Sequence, residues 1–256
     1  MTRPIGLTAA AFSAEQLSWY LSETLGSSAA AQVYDDADQL ADALLGSQID
    51  LAWMTPGSYL KASHRSPIVS LFKLSRGGAT SYESVFISRA GKGIDSLAAA
   101  KGKSLVLVGI GSMSGRLLPI AHLKKAGIDP ENYFSAILEA KDHEEACRLV
   151  LDGKADVGVT LSDLHPTGEG IADGCREAKM DPKSFTVIEH VGAIPNDIIA
   201  VRPGLDKAMV ERLRSAFANM DQSESGRAEL KNIFHADGFA PASDQDFATL
   251  RALAGE

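Results

Sequence analysis

The sequence of 256 residues contains only two cysteines, Cys147 and Cys175. Two cysteines cannot build the disulfide framework of a small secreted scaffold, and no CxxC or Cys/His pair has metal-ligand spacing. Cys147 lies in a helical, apolar pattern, which favours a role as a small core residue; a single disulfide stays open as an alternative. We therefore expect neither a metal site nor a cofactor.

No run of lysine or arginine occurs anywhere in the chain. The formal net charge is −8 and the sequence pI is about 5.3, whereas binding to a nucleic-acid backbone depends on clustered positive charge. With a mean hydropathy of −0.02, the composition is that of an ordinary globular protein without a nucleic-acid partner.

Long apolar segments are also missing. No stretch is long enough to span a bilayer, and residues 1–6 enter a strand-like pattern without the apolar region of a secretory signal. We interpret the chain either as cytoplasmic or as a mature form whose signal peptide was removed and replaced by Met1.

Hydrolase motifs are absent as well. The sequence contains no GxSxG, no HExxH and no cysteine in a recognisable catalytic motif. This argues against an enzyme, and we predict no catalytic residues.

Short β-rich runs alternate with helical patterns over most of the chain. Strands separated by crossover helices predict an α/β fold with mostly parallel sheets that are covered on both faces. After Pro203-Gly204 the pattern becomes purely helical. The predicted strands are 4–7, 32–34, 49–54, 69–74, 82–88, 104–108, 136–139, 157–160 and 185–189, and the predicted helices are 14–25, 38–45, 116–126, 144–151, 207–220, 225–234 and 246–253.

Two stretches of the chain repeat one plan. In the first, a helix ends at Gly46, a short turn leads to Asp50 and a buried strand begins. In the second, the same order of helix, turn and strand occurs with Gly153 and Asp156. Loops of this kind are common between helices and strands, but together with the alternation they predict two similar α/β lobes. The helical tail would then return to support the first lobe.

The most informative segment joins strand 104–108 to a helix through a Gly/Ser turn that ends in Ser112-Met113-Ser114-Gly115. The first N–H groups of a helix lack internal partners, and small residues together with serine hydroxyls suit the approach of an oxyanion. The glycine spacing misses GxGxxG by one residue, and no P-loop Lys-Ser/Thr follows. The turn is therefore either an anion site or a serine-rich helix cap.

Other polar residues are candidates with ordinary structural alternatives. Asp142 and Glu145 resemble a capping box, which places His143 in the first turn of a helix as a ligand contact or as a solvated side chain. Asp163 and Asp197 follow strands in apolar surroundings, where carboxylates also serve as caps or turn residues. Tyr82 fits either a core or a cleft lining.

Several segments, in this order, resemble the phosphonate-binding periplasmic proteins of ABC importers, a group that includes phosphite and hypophosphite binders. The resemblance covers nearly the whole chain, and its most specific parts are the Ser-x-Ser-Gly turn, the Asp-His pair before a helix, and Ile-Pro-Asn-Asp. The matching segments are DLAWMTPGSY (50–59), 77–87 ending in SYESVFI, IDSLAAAKGKSLVLV (94–108), GSMSGRLLPIAHLKKAGIDPENYF (111–134), KDHEEACRLVLDGKADVGV (141–159) and IPNDIIAVRPGL (194–205).

The resemblance implies a type II periplasmic-binding-protein fold, in which two crossover strands join two lobes and the ligand lies in the cleft. Lobe one would comprise residues 1–84 and 199–256, and lobe two residues 85–198. The crossings would lie near 82–88 and 196–201. We expect ligand binding to close the lobes about a hinge near Ser88 and Val201.

The resemblance also implies roles for particular residues. Ser112, Met113 and Ser114 would hold the phosphonate oxygens, with His143 as a further contact and Tyr82 as a cleft aromatic. Asp163 and Asp197 match the two acids that surround the ligand ammonium in aminoethylphosphonate binders.

The sequence departs from the family pattern at three of these positions. Met113 replaces a threonine, Met54 stands where a cleft tyrosine is usual, with Thr55 beside it as a possible donor, and Asp163 replaces what is a longer glutamate elsewhere. These departures leave the class intact and put the exact ligand in question.

We therefore predict the periplasmic substrate-binding protein of an ABC importer, a monomer that delivers 2-aminoethylphosphonate or a similar aminoalkylphosphonate to a permease. A phosphite or methylphosphonate binder of the same family is the alternative, as is a ligand-sensing domain of a regulator. An enzyme on the same fold would have to rely on His143 and Cys147, one helical turn apart.

Overall fold

The computed structural model describes residues 7–34, 36–109, 111–163 and 173–254. The predicted strands 49–54, 69–74, 82–88, 104–108 and 136–139 are found within one or two residues of their expected bounds, whereas the predicted strands 157–160 and 185–189 begin as expected but continue to Asp163 and Pro195. In chain order the strands are β1 (Leu51–Met54), β2 (Val69–Ser75), β3 (Ser81–Arg89), β4 (Ser104–Val108), β5 (Ala136–Ala140), β6 (Val157–Asp163), β7 (Phe185–Pro195), β8 (Ile198–Val201) and β9 (Gly238–Pro241).

The helices begin where short polar side chains cap their first N–H groups. Thr55, Asp142 and Asp206 each accept a hydrogen bond from a backbone N–H of the helix that follows, as the pattern of helix starts predicts. The helices are α1 (Leu7–Leu25), α2 (Ala37–Leu45), α3 (Pro56–Arg65), α4 (Leu118–Lys125), α5 (Pro130–Tyr133), α6 (His143–Leu151), α7 (Asp173–Glu177), α8 (Lys207–Ala218), α9 (Glu224–Phe234) and α10 (Ala248–Ala254), and a π-helical turn, Met113–Leu117, leads directly into α4.

The described chain divides into two compact units. Unit 1 comprises residues 7–80 and Pro195–Phe247, and unit 2 comprises Ser81–Ile194 and 248–254. The resemblance placed the divisions at 84/85 and 198/199 and assigned the whole C-terminus to the first lobe. The difference at the C-terminus arises because α10 packs against α4 of unit 2.

Unit 1 contains a sheet with the strand order β1-β8-β2-β9, in which every neighbouring pair is antiparallel. The prediction of mostly parallel sheets was wrong for this unit. β1 and β2 run in the same direction on either side of the crossover helix α3, as a β-α-β unit should. β8 lies between them and runs the opposite way, so that they are not neighbours.

The core of unit 1 is aromatic. Phe217, Phe234 and Phe239 pack edge to face with ring centroids 5.4–6.1 Å apart, and Trp53 packs against Phe234 at 4.9 Å. Edge-to-face packing of this kind fixes ring orientations as well as burying apolar area. The indole of Trp53 is thereby held in one place.

Unit 2 contains a sheet with the strand order β5-β4-β6-β3-β7. β4 pairs in parallel with β5 on one side and β6 on the other, whereas β3 is antiparallel to β6. The prediction of parallel pairing is therefore confirmed for the three strands that are joined by the α4 and α6 crossovers. Buried apolar side chains of the sheet and of α6 form the core, among them Val85, Ile87, Val106, Ala146 and Val150.

Other local predictions fared differently. The predicted strand 32–34 was wrong, because these residues join no ladder among the described strands. The stretch after Pro203-Gly204 is not purely helical, since β9 pairs with β2 there; four residues are too few for an alternating pattern to emerge. Of the predicted strand 4–7, residues 4–6 lie outside the described residues and Leu7 begins α1.

In the part of the chain that the structure describes, no helix has both the length and the apolar composition that crossing a bilayer requires.

Candidate functional site

The candidate site in unit 2 lies at the carboxyl end of β4. The chain leaves β4 through the π-helical turn and α4 toward β5, and leaves β5 through α6 toward β6, on the other side of β4. β4 is thus the point at which the strand order reverses, and ligands of open α/β sheets bind outside the carboxyl ends of the strands at such a point. Two helix N-termini, with their unpaired N–H groups and positive dipole ends, begin there.

The Ser112–Gly115 turn is built as a helix cap and is held tightly against β4. Ser112 Oγ accepts a hydrogen bond from Gly115 N at 3.0 Å, and Ser84 Oγ donates to the carbonyl oxygen of Ser114 at 2.6 Å. A Cβ on Gly115 would lie 2.5 Å from Val108 Cβ, so only glycine lets the turn approach the strand this closely. The turn is therefore a helix cap, and this cap does not exclude an anion site, so both alternatives remain compatible with the geometry.

Ser114 and His143 are brought together by this arrangement. Ser114 Oγ lies 3.4 Å from His143 Nε2, and Thr160 Oγ1 lies 3.3 Å from His143 Nδ1 on the other side of the ring. Desolvation lowers the pKa of His143 from 6.5 to about 4, although the nearby Asp142 carboxylate opposes this shift. At neutral pH the imidazole is therefore uncharged and has one N–H donor.

The predicted capping box at α6 is confirmed for its first half. Asp142 accepts from Glu145 N at 2.8 Å, and the Glu145 carboxylate accepts from Lys141 N at 2.8 Å, one residue before the expected position. This cap fixes the first turn of α6 and with it the position of His143.

Arg116 contributes to the structure behind the turn. Its Nε donates to the carbonyl oxygen of Val108 at 2.6 Å, and its guanidinium pairs with Glu139 of β5 at 2.7 Å. The positive charge of Arg116 is thus paired with the Glu139 carboxylate and links β4 to β5.

Tyr82 and Asp163 are cross-strand partners at the ends of β3 and β6. Asp163 N donates to the buried carboxylate of Asp173 at 2.7 Å, and Ser162 Oγ donates to the same Asp173 oxygen at 3.2 Å. Arg176 pairs with the other oxygen of Asp173 and balances its charge. The Asp163 side chain is only partly buried at the end of its strand.

In unit 1, Met54 and Thr55 lie at the end of β1. Met54 is fully buried and offers no surface to a ligand in this structure. Thr55 Oγ1 caps α3 by accepting from Ser58 N and lies 2.8 Å from Ser58 Oγ. Their roles as ligand contacts stay predictions.

Asp197 of unit 1 has partners of its own. Its Oδ2 accepts from Trp53 Nε1 at 3.2 Å and from the Arg76 guanidinium at 3.0 Å. The neighbouring Asn196 bonds to the carbonyl oxygens of Leu74 and Ala79. The Asp197 carboxylate is therefore charge-balanced without a ligand, which matches its alternative role as a structural residue.

Comparison with known proteins places the chain. The family of ABC transporter, phosphonate, periplasmic substrate-binding proteins matches residues 12–247. The chain belongs to this family.

Solved structures of similar proteins show the fold. XAC2383 from Xanthomonas citri, bound to chloride, is 21% identical with a TM-score of 0.80, over 99% of this chain and 94% of that one. A binding protein component of an ABC phosphonate transporter from Pseudomonas aeruginosa is 20% identical, with a TM-score of 0.73 over 99% and 83%. PhnD1 from Prochlorococcus marinus, in complex with methylphosphonate, is 18% identical, with a TM-score of 0.73 over 99% and 95%. The two-sheet architecture is thus the α/β periplasmic-binding-protein fold.

Membership in the phosphonate-binding family answers the question of catalysis. The family consists of substrate-binding proteins of phosphonate ABC transporters, so the protein is a binding protein and not an enzyme. Cys147, on which an enzyme of this fold would have had to rely together with His143, is bonded to Cys175 in a disulfide between α6 and α7. Cys147 is buried, as expected of a small core residue, and it also forms the single disulfide that the sequence left open.

Sequence reasoning missed three residues of the unit 2 site. Ser84 supports the turn, Thr160 contacts His143, and Gly174 of α7 packs so closely that a Cβ there would lie 2.2 Å from Thr160 Oγ1. No motif marks them, because each acts through a contact between elements distant in the sequence.

Proposed function

We propose that the protein captures a phosphonate through its phosphorus oxyanion, which the Ser112–Gly115 turn and His143 hold at the carboxyl end of β4. The observation that carries this proposal is the juxtaposition of Ser114 and His143 at the starts of two helices. Helix-first N–H groups and serine hydroxyls offer donors that suit an acceptor-only ligand, and the imidazole of His143 lies within hydrogen-bond distance of the Ser114 hydroxyl. PhnD1 of Prochlorococcus marinus, which has the same fold, was solved with methylphosphonate.

The periplasm is the proposed location, and the permease of the importer is the proposed partner of a monomeric protein. Disulfides persist in oxidising compartments such as the bacterial periplasm, and Cys147–Cys175 supports that assignment.

Calorimetry of serine variants tests the oxyanion site. Charge-assisted hydrogen bonds contribute about 1.5–3 kcal/mol each, so Ser112→Ala with Ser114→Ala should weaken methylphosphonate binding roughly tenfold or more. A second Ser-x-Ser-Gly segment, which begins with Ser223 at the start of α9, supplies a control. Ser223 accepts a hydrogen bond from Gly226 N at 3.0 Å, just as Ser112 accepts one from Gly115 N. Ser223→Ala should destabilise the fold to a similar extent and leave affinity unchanged. Wild-type affinity in the double variant would rule the site out.

Within the class, we propose an aminoalkylphosphonate such as 2-aminoethylphosphonate, with Asp163 as the discriminating residue. A carboxylate beside a purely inorganic oxyanion would repel it, whereas an ammonium on the ligand reverses the sign. Asp197 already pairs with Arg76, which favours its alternative role as a structural residue, and Asp163 is therefore the residue whose substitution tests the preference for an amine.

A comparison of ligands tests this finer assignment. Thermal shifts with phosphate, phosphite, methylphosphonate and 2-aminoethylphosphonate should be largest for the last, because a ligand of the folded state raises the melting temperature according to its affinity. Asp163→Asn should weaken 2-aminoethylphosphonate binding far more than methylphosphonate binding. Equal losses, or a wild-type preference for methylphosphonate or phosphite, would exclude the amine and leave the oxyanion site intact.

A further inference from the structure

Three side chains of unit 2 form a hydrogen-bonded chain that ends at the proposed oxyanion site. Thr160 Oγ1 lies 3.3 Å from His143 Nδ1, and His143 Nε2 lies 3.4 Å from Ser114 Oγ. Thr160 comes from β6, His143 from the first turn of α6 and Ser114 from the turn after β4. The three elements therefore meet through these side chains.

Burial determines which group donates and which accepts in these hydrogen bonds. Thr160 is fully buried, Ser114 is 3% exposed, and His143 is the one hydrogen-bond partner of the Thr160 hydroxyl among the described residues. If Nδ1 carried the proton, Thr160 would accept it and its own buried O–H would lack an acceptor, which is costly. The Thr160 hydroxyl therefore donates to Nδ1, and the proton of the neutral imidazole lies on Nε2.

The same reasoning identifies the donor in the hydrogen bond between His143 and Ser114. Nε2–H donates to Ser114 Oγ, and in the described part of the chain the Ser114 hydroxyl has no acceptor of its own. Its hydrogen is thus available to an incoming oxyanion, which accepts hydrogen bonds and donates none when fully ionised.

We propose that Thr160 is a positioning residue that fixes His143 as the Nε2–H tautomer and thereby makes the Ser114 hydroxyl a donor to the ligand oxyanion. The inference rests on the proposed oxyanion site and adds a residue that acts on it through His143. Thr160 is not itself a ligand contact.

Helix α7 closes the far side of this arrangement. Gly174 lies so near that a Cβ would be 2.2 Å from Thr160 Oγ1 and 3.3 Å from His143 Cβ. The disulfide between Cys147 and Cys175 fastens the residue next to Gly174 onto the helix that carries His143. Water is therefore excluded from the Thr160 hydroxyl, which leaves the imidazole as its partner.

Histidine NMR tests the tautomer without any ligand. In ¹⁵N-labelled protein at pH 8, His143, assigned by the loss of its signals in His143→Gln, should show the Nε2–H pattern. The isosteric Thr160→Val removes the hydroxyl and should give a mixture of tautomers, whereas Thr160→Ser keeps the hydroxyl and the wild-type pattern. An Nδ1–H tautomer in the wild type would overturn the inference even if Thr160→Val failed to fold.

Calorimetry with methylphosphonate at pH 8 tests the consequence for binding. Thr160→Val should raise the dissociation constant by the reciprocal of the Nε2–H fraction that NMR measures, about twofold for an equal mixture, and Thr160→Ser should bind like the wild type. An unchanged affinity in Thr160→Val at a reduced Nε2–H fraction would refute the role of Thr160. Failure of the wild type to bind any phosphonate would instead refute the proposed function, and the NMR result would stand by itself.

Discussion

At the scale of single residues, the site is made of ordinary groups whose surroundings decide what they do. Ser112 caps a helix, Arg116 ties β4 to β5, and Asp197 is paired with Arg76 and Trp53. Of two carboxylates that the resemblance treats alike, one is thus charge-balanced within unit 1. Residue identity alone cannot reveal this, because the partners lie more than a hundred positions away in the sequence.

His143 gives a prediction about stability and pH. Because desolvation lowers its pKa from 6.5 to about 4, the unfolded chain binds a proton between these pH values that folded His143 does not. The effect is absent above pH 6.5, and it lowers the free energy of unfolding as the pH falls from 6.5 toward 4. Since one unit of pKa shift corresponds to about 1.36 kcal/mol, the total loss is up to about 3 kcal/mol.

Urea unfolding of wild type and His143→Asn from pH 8 to pH 4 measures this effect. The difference in stability between the two proteins should shift in favour of His143→Asn as the pH decreases below 6.5. A difference that is constant over the whole range would show that His143 takes up its proton equally well in the folded state.

At the scale of secondary-structure elements, sequence periodicity predicted what local interactions determine. The strand 104–108 was predicted with the observed bounds, and the capping pattern at Asp142 marked the start of α6 within one residue. The repeated helix-Gly-Asp-strand plan found at β1 and β6 also corresponds to the two α/β units. These features depend on neighbours in the sequence, so the sequence contains them.

Features that depend on distant partners were not predictable. The insertion of β8 between β1 and β2 reverses the expected pairing, and the edge strand β9 is too short to show alternation. Likewise, the Ser-x-Ser-Gly pattern occurs at 112–115 and at 223–226, and both serines cap a helix. What distinguishes the first is that His143 lies beside it, which only the fold shows.

The disulfide between α6 and α7 gives a prediction at this scale. It closes a loop with a sequence separation of 28, and the loss of such a cross-link costs about 2–4 kcal/mol in stability. α7 has only five residues, so the bond is a major part of what holds it on unit 2. We expect dithiothreitol to lower the urea midpoint of the wild type and to leave that of the Cys147→Ala/Cys175→Ala double variant unchanged. Equal midpoints for oxidised wild type and the double variant would show that the bond contributes nothing to stability.

At the scale of the whole molecule, the chain passes between its units at Thr80–Ser81, at Ile194–Pro195 and again at Phe247–Ala248, whereas the resemblance placed the hinge near Ser88 and Val201. Ser88 lies within β3 of unit 2 and Val201 at the end of β8 in unit 1. Strands inside a paired sheet are poor places for a large change in φ and ψ, since every residue there is held by its ladder. Residues at element ends, such as Thr80 between β2 and β3, are better suited to absorb such a change, whereas the ring of Pro195 fixes its φ.

The proposed capture of a phosphonate therefore predicts a ligand-dependent change in compactness, because the resemblance assigns candidate contacts to both units, Thr55 to unit 1 and His143 to unit 2. A ligand that binds better to a closed conformation shifts the population toward it by its differential affinity alone. We expect the radius of gyration from small-angle X-ray scattering to decrease when saturating 2-aminoethylphosphonate is added to wild type. The Ser112→Ala/Ser114→Ala variant at the same ligand concentration should keep its ligand-free value, because it cannot hold the oxyanion. An unchanged radius in the wild type, at a concentration where calorimetry shows saturation, would mean that binding takes place without closure and that the contacts of one unit suffice for capture.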